Sequence, residues 1–306
     1  MKRFLVVLLL FLGSTIAVAD TANEYIVKGF SAFKSGQHEE GIKWFNLAAD
    51  SGDKNAYFYL GAIYAEGMGV TQDLNVAFEY YMLAAEQGHA DAEYELGVFY
   101  AEGFGVTQDY NAAIKWFIRA AKKGNPLAQF NLGLMYRKGE GVAQDYKEAM
   151  KWYTLAAEQG NPRAQVNLAS MFQNGAGVTQ DYKAAVKWYT LAAEKGNPLA
   201  QFNLGLMYDR GLGVVQDYQT AVKWYTLAAE QNDESAQLRL GIMYYLGKGV
   251  LEDYVYAHMW INISIANGNT NGTEARDIIA KKLTPEQLAE AQKLARECVA
   301  KEYKGC

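Results

Sequence analysis

The sequence predicts an all-α protein, an α-solenoid in which antiparallel helix pairs stack on one another. Two observations predict this fold class: the chain repeats itself every 36 residues, and each repeat carries two apolar stripes at helical spacing without strand-like alternation. A fixed period of this length is typical of arrays whose units bury their apolar faces only against their neighbours. The recurring positions include Gly61, Gly97, Gly133, Gly205 and Gly241, with Ala169 in the missing place, and Asp73, Asp109, Asp145, Asp181, Asp217 and Asp253.

Residues 127–162 show how the first helix of a repeat and its turn are encoded. The first apolar stripe predicts a short helix over about residues 127–138. That stripe consists of Ala128, Leu132, Met135 and Tyr136. Gly139 follows where a helix C-cap needs a left-handed residue, and Gly141 lets the connection turn sharply.

The second helix of this repeat is predicted to start after Asp145. We expect Asp145 to act as its N-cap and Glu148 to complete a capping box. Its apolar stripe consists of Ala149, Trp152, Tyr153, Ala156 and Ala157. The aromatic pair is expected to fill the core, while the alanines let the backbones approach closely. Gly160 ends the helix, and Asn161 with Pro162 opens the next one.

The first 19 residues have the pattern of a signal peptide. Lys2 and Arg3 precede an apolar run, and Ala17 and Ala19 supply the small residues of a cleavage site. The chain is therefore expected to be exported from a bacterial cell, to the periplasm or beyond. An uncleaved membrane anchor is the alternative, and association with a membrane is expected only in that case.

The charge of the chain argues against a nucleic-acid partner. Without Lys2 and Arg3, the 29 basic residues become 27 against 34 acidic ones, which gives a net charge of −7. Nucleic-acid-binding proteins normally carry a basic patch or stripe, and the sequence has none.

The two cysteines lie close together at the C-terminus. In an exported chain, Cys298 and Cys306 can close a small terminal disulfide. Metal ligation fits less well, because a structural zinc site needs further Cys or His ligands.

Three recurring segments resemble those of Sel1-like repeats, the 36-residue relatives of tetratricopeptide repeats. They are the Leu-Gly-x-x-Tyr of the first helix, the Gly-x-Gly-Val-x-Gln-Asp turn, and the Ala-Ala pair near the end of the second helix. The resemblance covers residues 55 to about 270. It implies an α-solenoid coiled into a right-handed superhelix, whose inner surface, lined mainly by first helices, holds a partner protein or peptide, as in adaptor proteins.

This resemblance also suggests a division of the chain. Residues 1–19 form the signal peptide, and residues 20–54 resemble a shorter, tetratricopeptide-like first repeat. Residues 55–270 hold six 36-residue Sel1-like repeats. Residues 271–306 form a helical cap, in which Thr284 and Pro285 open a charged helix that ends near Lys301.

No catalytic constellation is recognisable, so the protein is predicted to be neither an enzyme nor a cofactor- or metal-binding protein. His38, His89 and His258 fall in different repeats at unrelated positions. One cysteine-rich branch of Sel1-like proteins is linked to β-lactamase or penicillin-binding activity. Its cysteine pairs are missing from the repeats of this chain, which counts against that alternative.

The candidate binding residues lie on the first helices. Asn131, Asn167 and Asn203 each stand directly before the recurring leucine, where tetratricopeptide relatives face the concave groove. An amide there can bond the backbone or C-terminal carboxylate of a bound peptide. Further donors expected near the same groove are Arg137, Lys138, Gln173, Asn174 and Arg210.

Two alternatives to peptide binding remain open at this stage. The asparagines can instead bond neighbouring turns and only stabilise the stack. Alternatively, the protein can bind cell-wall material or another glycan through exposed aromatic residues such as Tyr57, Tyr59 and Phe104.

Overall fold

The computed structural model describes residues 21–306, so the predicted signal peptide lies outside it. The described part contains sixteen α-helices, one short 3₁₀ helix and no strand. The first pair is α1 (Thr21–Lys34) and α2 (His38–Asp50). Six further pairs follow: α3 (Lys54–Glu66) and α4 (Leu74–Glu86), α5 (Ala90–Glu102) and α6 (Tyr110–Lys122), α7 (Pro126–Lys138) and α8 (Tyr146–Glu158), α9 (Pro162–Asn174) and α10 (Tyr182–Glu194), α11 (Pro198–Arg210) and α12 (Tyr218–Ala229), and α13 (Glu234–Leu246) and α14 (Tyr254–Ala266). The 3₁₀ helix (Thr270–Gly272), α15 (Thr273–Ala280) and α16 (Pro285–Ala300) complete the chain.

The chain divides into two compact units, Met1–Leu155, described from residue 21 onward, and Ala156–Cys306. Consecutive helices pack against each other within each unit, which confirms the predicted all-helical fold of stacked helix pairs. Within residues 21–306, no helix is both long and apolar enough to cross a bilayer.

A glycine in the first helix lets the two helices of a pair approach closely. A Cβ atom at Gly97 would lie only 2.5 Å from Cδ1 of Phe117 on α6. Gly61 faces Tyr81 and Gly205 faces Tyr225 in the same way. Because real Cβ atoms do not come this near another carbon, only glycine permits this spacing without a shift of the ring.

The turns follow the predicted chemistry with one exception. Gly139 (φ 79°) and Gly141 (φ 71°) are left-handed, and Asp145 accepts backbone hydrogen bonds from Lys147 and Glu148 at 2.8 and 3.1 Å. The predicted capping box is wrong, however. The backbone N–H of Asp145 donates to the carbonyl of Tyr136 at 2.8 Å, and Glu148 pairs with Lys151 instead.

The two aromatic residues of the second helix differ in burial. Tyr153, Tyr189 and Tyr225 are fully buried between the helices. The preceding tryptophans are partly buried and pack at the edge of the core, except for Trp260, which is fully buried. The expectation that these tryptophans are core residues therefore holds fully only for the last repeat.

The C-terminal segment packs against the last helix pair of the second unit. Helices α15 and α16 both pack against α14, and Thr284 forms a capping box with Gln287. A disulfide joins Cys298 and Cys306. The loop that this disulfide closes forms two hydrogen bonds with the last repeats. The Tyr303 hydroxyl donates to Oδ1 of Asn267 at 3.2 Å, and the Gly305 N–H donates to Oε1 of Glu230 at 3.1 Å.

A buried glutamine on the first helix joins each of the last four repeats to the one before it. In four repeats its Nε2 donates to a carbonyl near the end of the preceding second helix. The bonds are Gln129 to Ala121 (3.2 Å), Gln165 to Ala157 (3.1 Å), Gln201 to Ala193 (3.1 Å) and Gln237 to Ala229 (3.3 Å). Each of these carbonyls also accepts a backbone N–H from the turn that follows its helix, so the glutamine adds a second hydrogen bond and links two repeats.

In the repeat that starts at Ala90, charged residues form the corresponding contact with the preceding repeat. Glu93 replaces the glutamine and is fully buried, and Arg119 donates to the Ala85 carbonyl at 3.1 Å in its place. Arg119 also bonds the Glu93 carboxylate through Nε at 2.8 Å, and Lys123 pairs with it at 2.9 Å. The buried carboxylate is thus compensated by two cations.

A double substitution tests whether Glu93 and Arg119 together replace the glutamine of the other repeats. Arg119→Leu should destabilise the protein by about 2–4 kcal/mol, because it removes a partner of the buried Glu93 and the donor to Ala85. Adding Glu93→Gln recreates the arrangement of the other repeats. The double variant should return to within about 1 kcal/mol of the wild type in urea unfolding. A double variant as unstable as Arg119→Leu alone would contradict this account.

Candidate functional site

The candidate site is a surface on the first helices. Each unit has its own such surface, formed by α3, α5 and α7 in the first unit and by α9, α11 and α13 in the second. We call it the first-helix face of that unit and define it by three side chains of each first helix: the one directly before the recurring leucine and the last two of the helix. The residue directly before the leucine occupies what we call the pre-leucine position. Along the chain its occupants are Tyr59, Glu95, Asn131, Asn167, Asn203 and Arg239.

The eight predicted binding residues fall in both units. The first unit holds three of them, all on α7: Asn131, Arg137 and Lys138. The second unit holds the other five: Asn167, Gln173 and Asn174 on α9, and Asn203 and Arg210 on α11. The three asparagines at the pre-leucine position are partly buried, whereas Lys138, Asn174 and Arg210 are exposed.

Four of the predicted residues bond within the protein. The Asn203 amide donates to the Leu199 carbonyl at 2.8 Å, one turn back on its own helix. Gln173 accepts from the Tyr189 hydroxyl at 2.8 Å. Asn174 donates to Ser170 at 3.2 Å, and Lys138 pairs with Glu140 at 3.2 Å. Part of the predicted set therefore bonds within the protein, and among the three asparagines Asn203 does so.

The other four have unused donors. Among residues 21–306, no hydrogen bond or ion pair engages the side chains of Asn131, Asn167 or Arg210. The Nε atom of Arg137 is buried and has no acceptor. A buried donor without a partner costs about 1–3 kcal/mol, so a bound acceptor would stabilise this face.

The pre-leucine position borders the aromatic ring of the preceding second helix. Burial raises the pKa of Tyr81, and the negative charge of Glu95 raises it further. Burial and the nearby Asp209 raise the pKa of Tyr225, whereas the positive charge of Arg239 lowers it. Both effects require the side chain at the pre-leucine position to lie near this ring.

Glu95 was not among the residues selected from the sequence. Burial, followed by the charges of Asp91 and Glu66, raises its pKa from 4.5 to about 7. Unlike Glu93, two residues earlier, it has no ion pair within the described chain. The available signal was a charged residue at a position that holds asparagine in three repeats.

The aromatic residues considered for glycan binding are mostly engaged in packing. Tyr59 lies edge-on to Phe30 at 4.7 Å, and Tyr57 stacks on Tyr80 at 6.5 Å between ring centroids. Only Phe104 keeps a large exposed fraction, 43%. The description of Tyr57 and Tyr59 as exposed aromatics is therefore wrong.

The three histidines belong to different helices or caps, and His38 begins α2. His89 caps α5 through Nδ1, and His258 is buried on α14. Burial lowers the pKa of both side chains. Among the described residues, no group of three or more His, Cys, Asp or Glu side chains is arranged to hold a metal ion.

The raised pKa of Glu95 predicts a pH-dependent stability change. Because the folded protein holds this proton more tightly than the unfolded chain, its stability falls as the pH rises from about 4.5 to about 7. Glu95→Gln removes this loss. It should stabilise the protein by about 2 kcal/mol more at pH 8 than at pH 5, measured by urea unfolding.

The matched control is Glu79→Gln, at an exposed position on α4 of the same unit. It should change stability by no more than about 0.5 kcal/mol at either pH. Equal effects of Glu95→Gln at the two pH values would show that the Glu95 carboxylate is not destabilised in the folded protein.

Comparison with known proteins identifies the family. The Sel1 repeat family matches seven consecutive segments, residues 29–53, 54–89, 90–125, 126–161, 162–197, 198–233 and 234–269. The shorter first pair is thus matched as a repeat of the same kind.

A solved structure agrees with this assignment. A Sel1 repeat protein from Oxalobacter formigenes is 33% identical, with a TM-score of 0.70, and the match covers 79% of this chain and 99% of that one. A protective antigen present in uropathogenic Escherichia coli strains is 32% identical, with a TM-score of 0.41, over 92% of this chain and 78% of that one.

A curated relative matches over a shorter stretch. An exopolysaccharide production negative regulator of Rhizobium leguminosarum bv. viciae is 43% identical over 53 residues, which is 17% of this chain and 20% of that protein. The chain thus spans about a fifth of that relative. Together with the seven matched repeats and the stacked helix pairs, the comparisons show that the chain belongs to the Sel1 repeat family.

Proposed function

We propose that this protein is an exported scaffold that binds a partner protein, through an extended segment, on its first-helix face. The observation that carries the proposal is the set of donors left unused on this face of each unit. They are the Asn131 amide and the buried Nε of Arg137 in the first unit, and the Asn167 amide and the Arg210 guanidinium in the second. Similar side chains that only stabilised the stack would have acceptors inside the protein.

The chemistry of these donors favours a peptide. An extended peptide presents a backbone carbonyl at every residue, and carboxylates at its acidic side chains and its C-terminus. Amides bond the carbonyls, and guanidinium groups bond carboxylates with two parallel hydrogen bonds. Stacked repeats place such donors at regular intervals, which suits a partner that runs across several repeats.

Export is supported by the disulfide between Cys298 and Cys306. Disulfides persist in the periplasm and outside the cell, whereas the cytosol keeps thiols reduced. The signal-peptide pattern of residues 1–19 agrees with this location. The proposed site of action is therefore the periplasm or the cell exterior, where the scaffold would hold another exported protein.

A random peptide library displayed on phage tests the proposal. The wild-type protein should enrich a set of binding peptides. The double substitution Asn167→Ala and Arg210→Ala should weaken their binding by about tenfold or more, since it removes two unpaired donors. Because neither side chain bonds within the described chain, the unfolding free energy should change by no more than about 0.5 kcal/mol.

The control for this test is the pair Lys183→Ala and Gln219→Ala, at exposed positions on second helices of the same unit. It should leave the dissociation constants within about twofold of the wild type. Failure to enrich any peptide, or equal losses in both double variants, would overturn the proposed binding face.

A further inference from the structure

The first-helix face of the first unit has an acidic half. Helix α3 ends in Glu66, and α5 carries Glu95 and ends in Glu102. None of these three carboxylates forms an ion pair with a cation in residues 21–306. Glu66 lies close enough to Glu95 to raise the pKa of that carboxyl group. This part of the face therefore has a negative charge that the described protein does not neutralise.

Within this half, Glu95 differs from its neighbours on α5. Glu93 is fully buried, but Arg119 and Lys123 compensate its charge at 2.7 and 2.9 Å. Asp91 accepts a hydrogen bond from the Asn125 amide at 2.8 Å. Glu95 has neither kind of partner, although it is partly buried beside the ring of Tyr81. A carboxylate removed from water without a partner is destabilised, and an incoming cation would relieve this cost.

The other repeats lack this property. The pre-leucine position of the other repeats holds a tyrosine at Tyr59, a cation at Arg239 and neutral amides in the three repeats between α7 and α11, namely Asn131, Asn167 and Asn203. Neutral amides bond peptide backbone without regard to charge, and Arg239 favours an anion. Only the repeat of α5 therefore combines a partly buried site with an uncompensated negative charge. The charge pattern indicates which kind of side chain a bound segment should place opposite each repeat.

We propose that Glu95 receives a lysine or arginine side chain of the bound partner segment, so that the first unit selects segments with a basic residue opposite α5. This inference rests on the proposed function, because it requires a segment bound on the first-helix face. Glu66 adds attraction for the same cation from α3. Glu95 would then form the direct ion pair, and Glu66 would increase the local negative potential.

The peptide library again supplies the probe. Peptides enriched on the wild-type protein should share a lysine or arginine at one position. Replacing that residue with norleucine, which keeps the aliphatic chain but lacks the charge, should raise the dissociation constant by about tenfold. Glu95→Gln should produce a similar loss with the unmodified peptide, whereas Glu79→Gln should stay within about twofold.

A charge swap separates a direct contact from a general electrostatic effect. Glu95→Lys should abolish binding of the basic peptide and restore binding of a peptide whose basic residue is changed to glutamate. Peptides that bind without a shared basic residue, or that bind Glu95→Gln as tightly as wild type, would overturn the role of Glu95 and leave the proposed function intact. A library that yields no binder would overturn both.

Discussion

The distance between the two helices of each pair is the constraint on which the rest of the structure depends. In five of the seven pairs it is set where a glycine of the first helix meets an aromatic ring of the second, as Gly97 meets Phe117. Ala169 takes the place of this glycine on α9, and Gly241 faces Ile261 on α14. The close approach buries the ring completely and directs the tyrosine hydroxyls toward the end of the first helix. Gln173 and Asp209 accept from Tyr189 and Tyr225 there, at 2.8 and 3.3 Å. The same packing brings the pre-leucine position next to the preceding ring, so the geometry of the fold also determines the geometry of the candidate site.

Contacts between repeats show how one structural need can be met by different residues. The carbonyl near the end of a second helix accepts a turn N–H and a side chain of the next repeat, and in most repeats that side chain is a glutamine of the next first helix. One repeat uses Arg119 and places a buried glutamate, Glu93, at the glutamine position. Comparison of Glu93 with Glu95 then becomes informative. Both carboxylates lie on α5, yet only the first has cations nearby, which is why the second is interpreted as part of a binding surface.

The sequence predicted the helices closely because the repeat gives each helix a start and an end signal. For the model repeat, the predicted helix over 127–138 appears as Pro126–Lys138. The capping box at Asp145 was wrong because a tertiary bond to the Tyr136 carbonyl already occupies its N–H. The relative burial of Trp152 and Tyr153 could not be predicted either. Both belong to the same apolar stripe, and only packing against a neighbouring helix distinguishes them.

The candidate site was predictable only in part. Repetition located the pre-leucine position, since its occupants vary while the flanking leucines stay constant. It could not show that Gln173 and Asn203 bond internally whereas Asn167 does not, because such pairing depends on rotamers and on distant segments. Pairing of Glu93 with Arg119 joins residues 26 positions apart, and no local pattern encodes it.

The central claim is that partner segments bind on the first-helix face. Photo-cross-linking with a peptide selected from the library tests it most directly. A benzophenone side chain replaces either Asn174 at the end of α9 or Lys187 on α10. Both positions are exposed and lie in the second unit. The account predicts that the peptide is cross-linked from position 174 and not from position 187. Cross-linking from position 187 alone would contradict it.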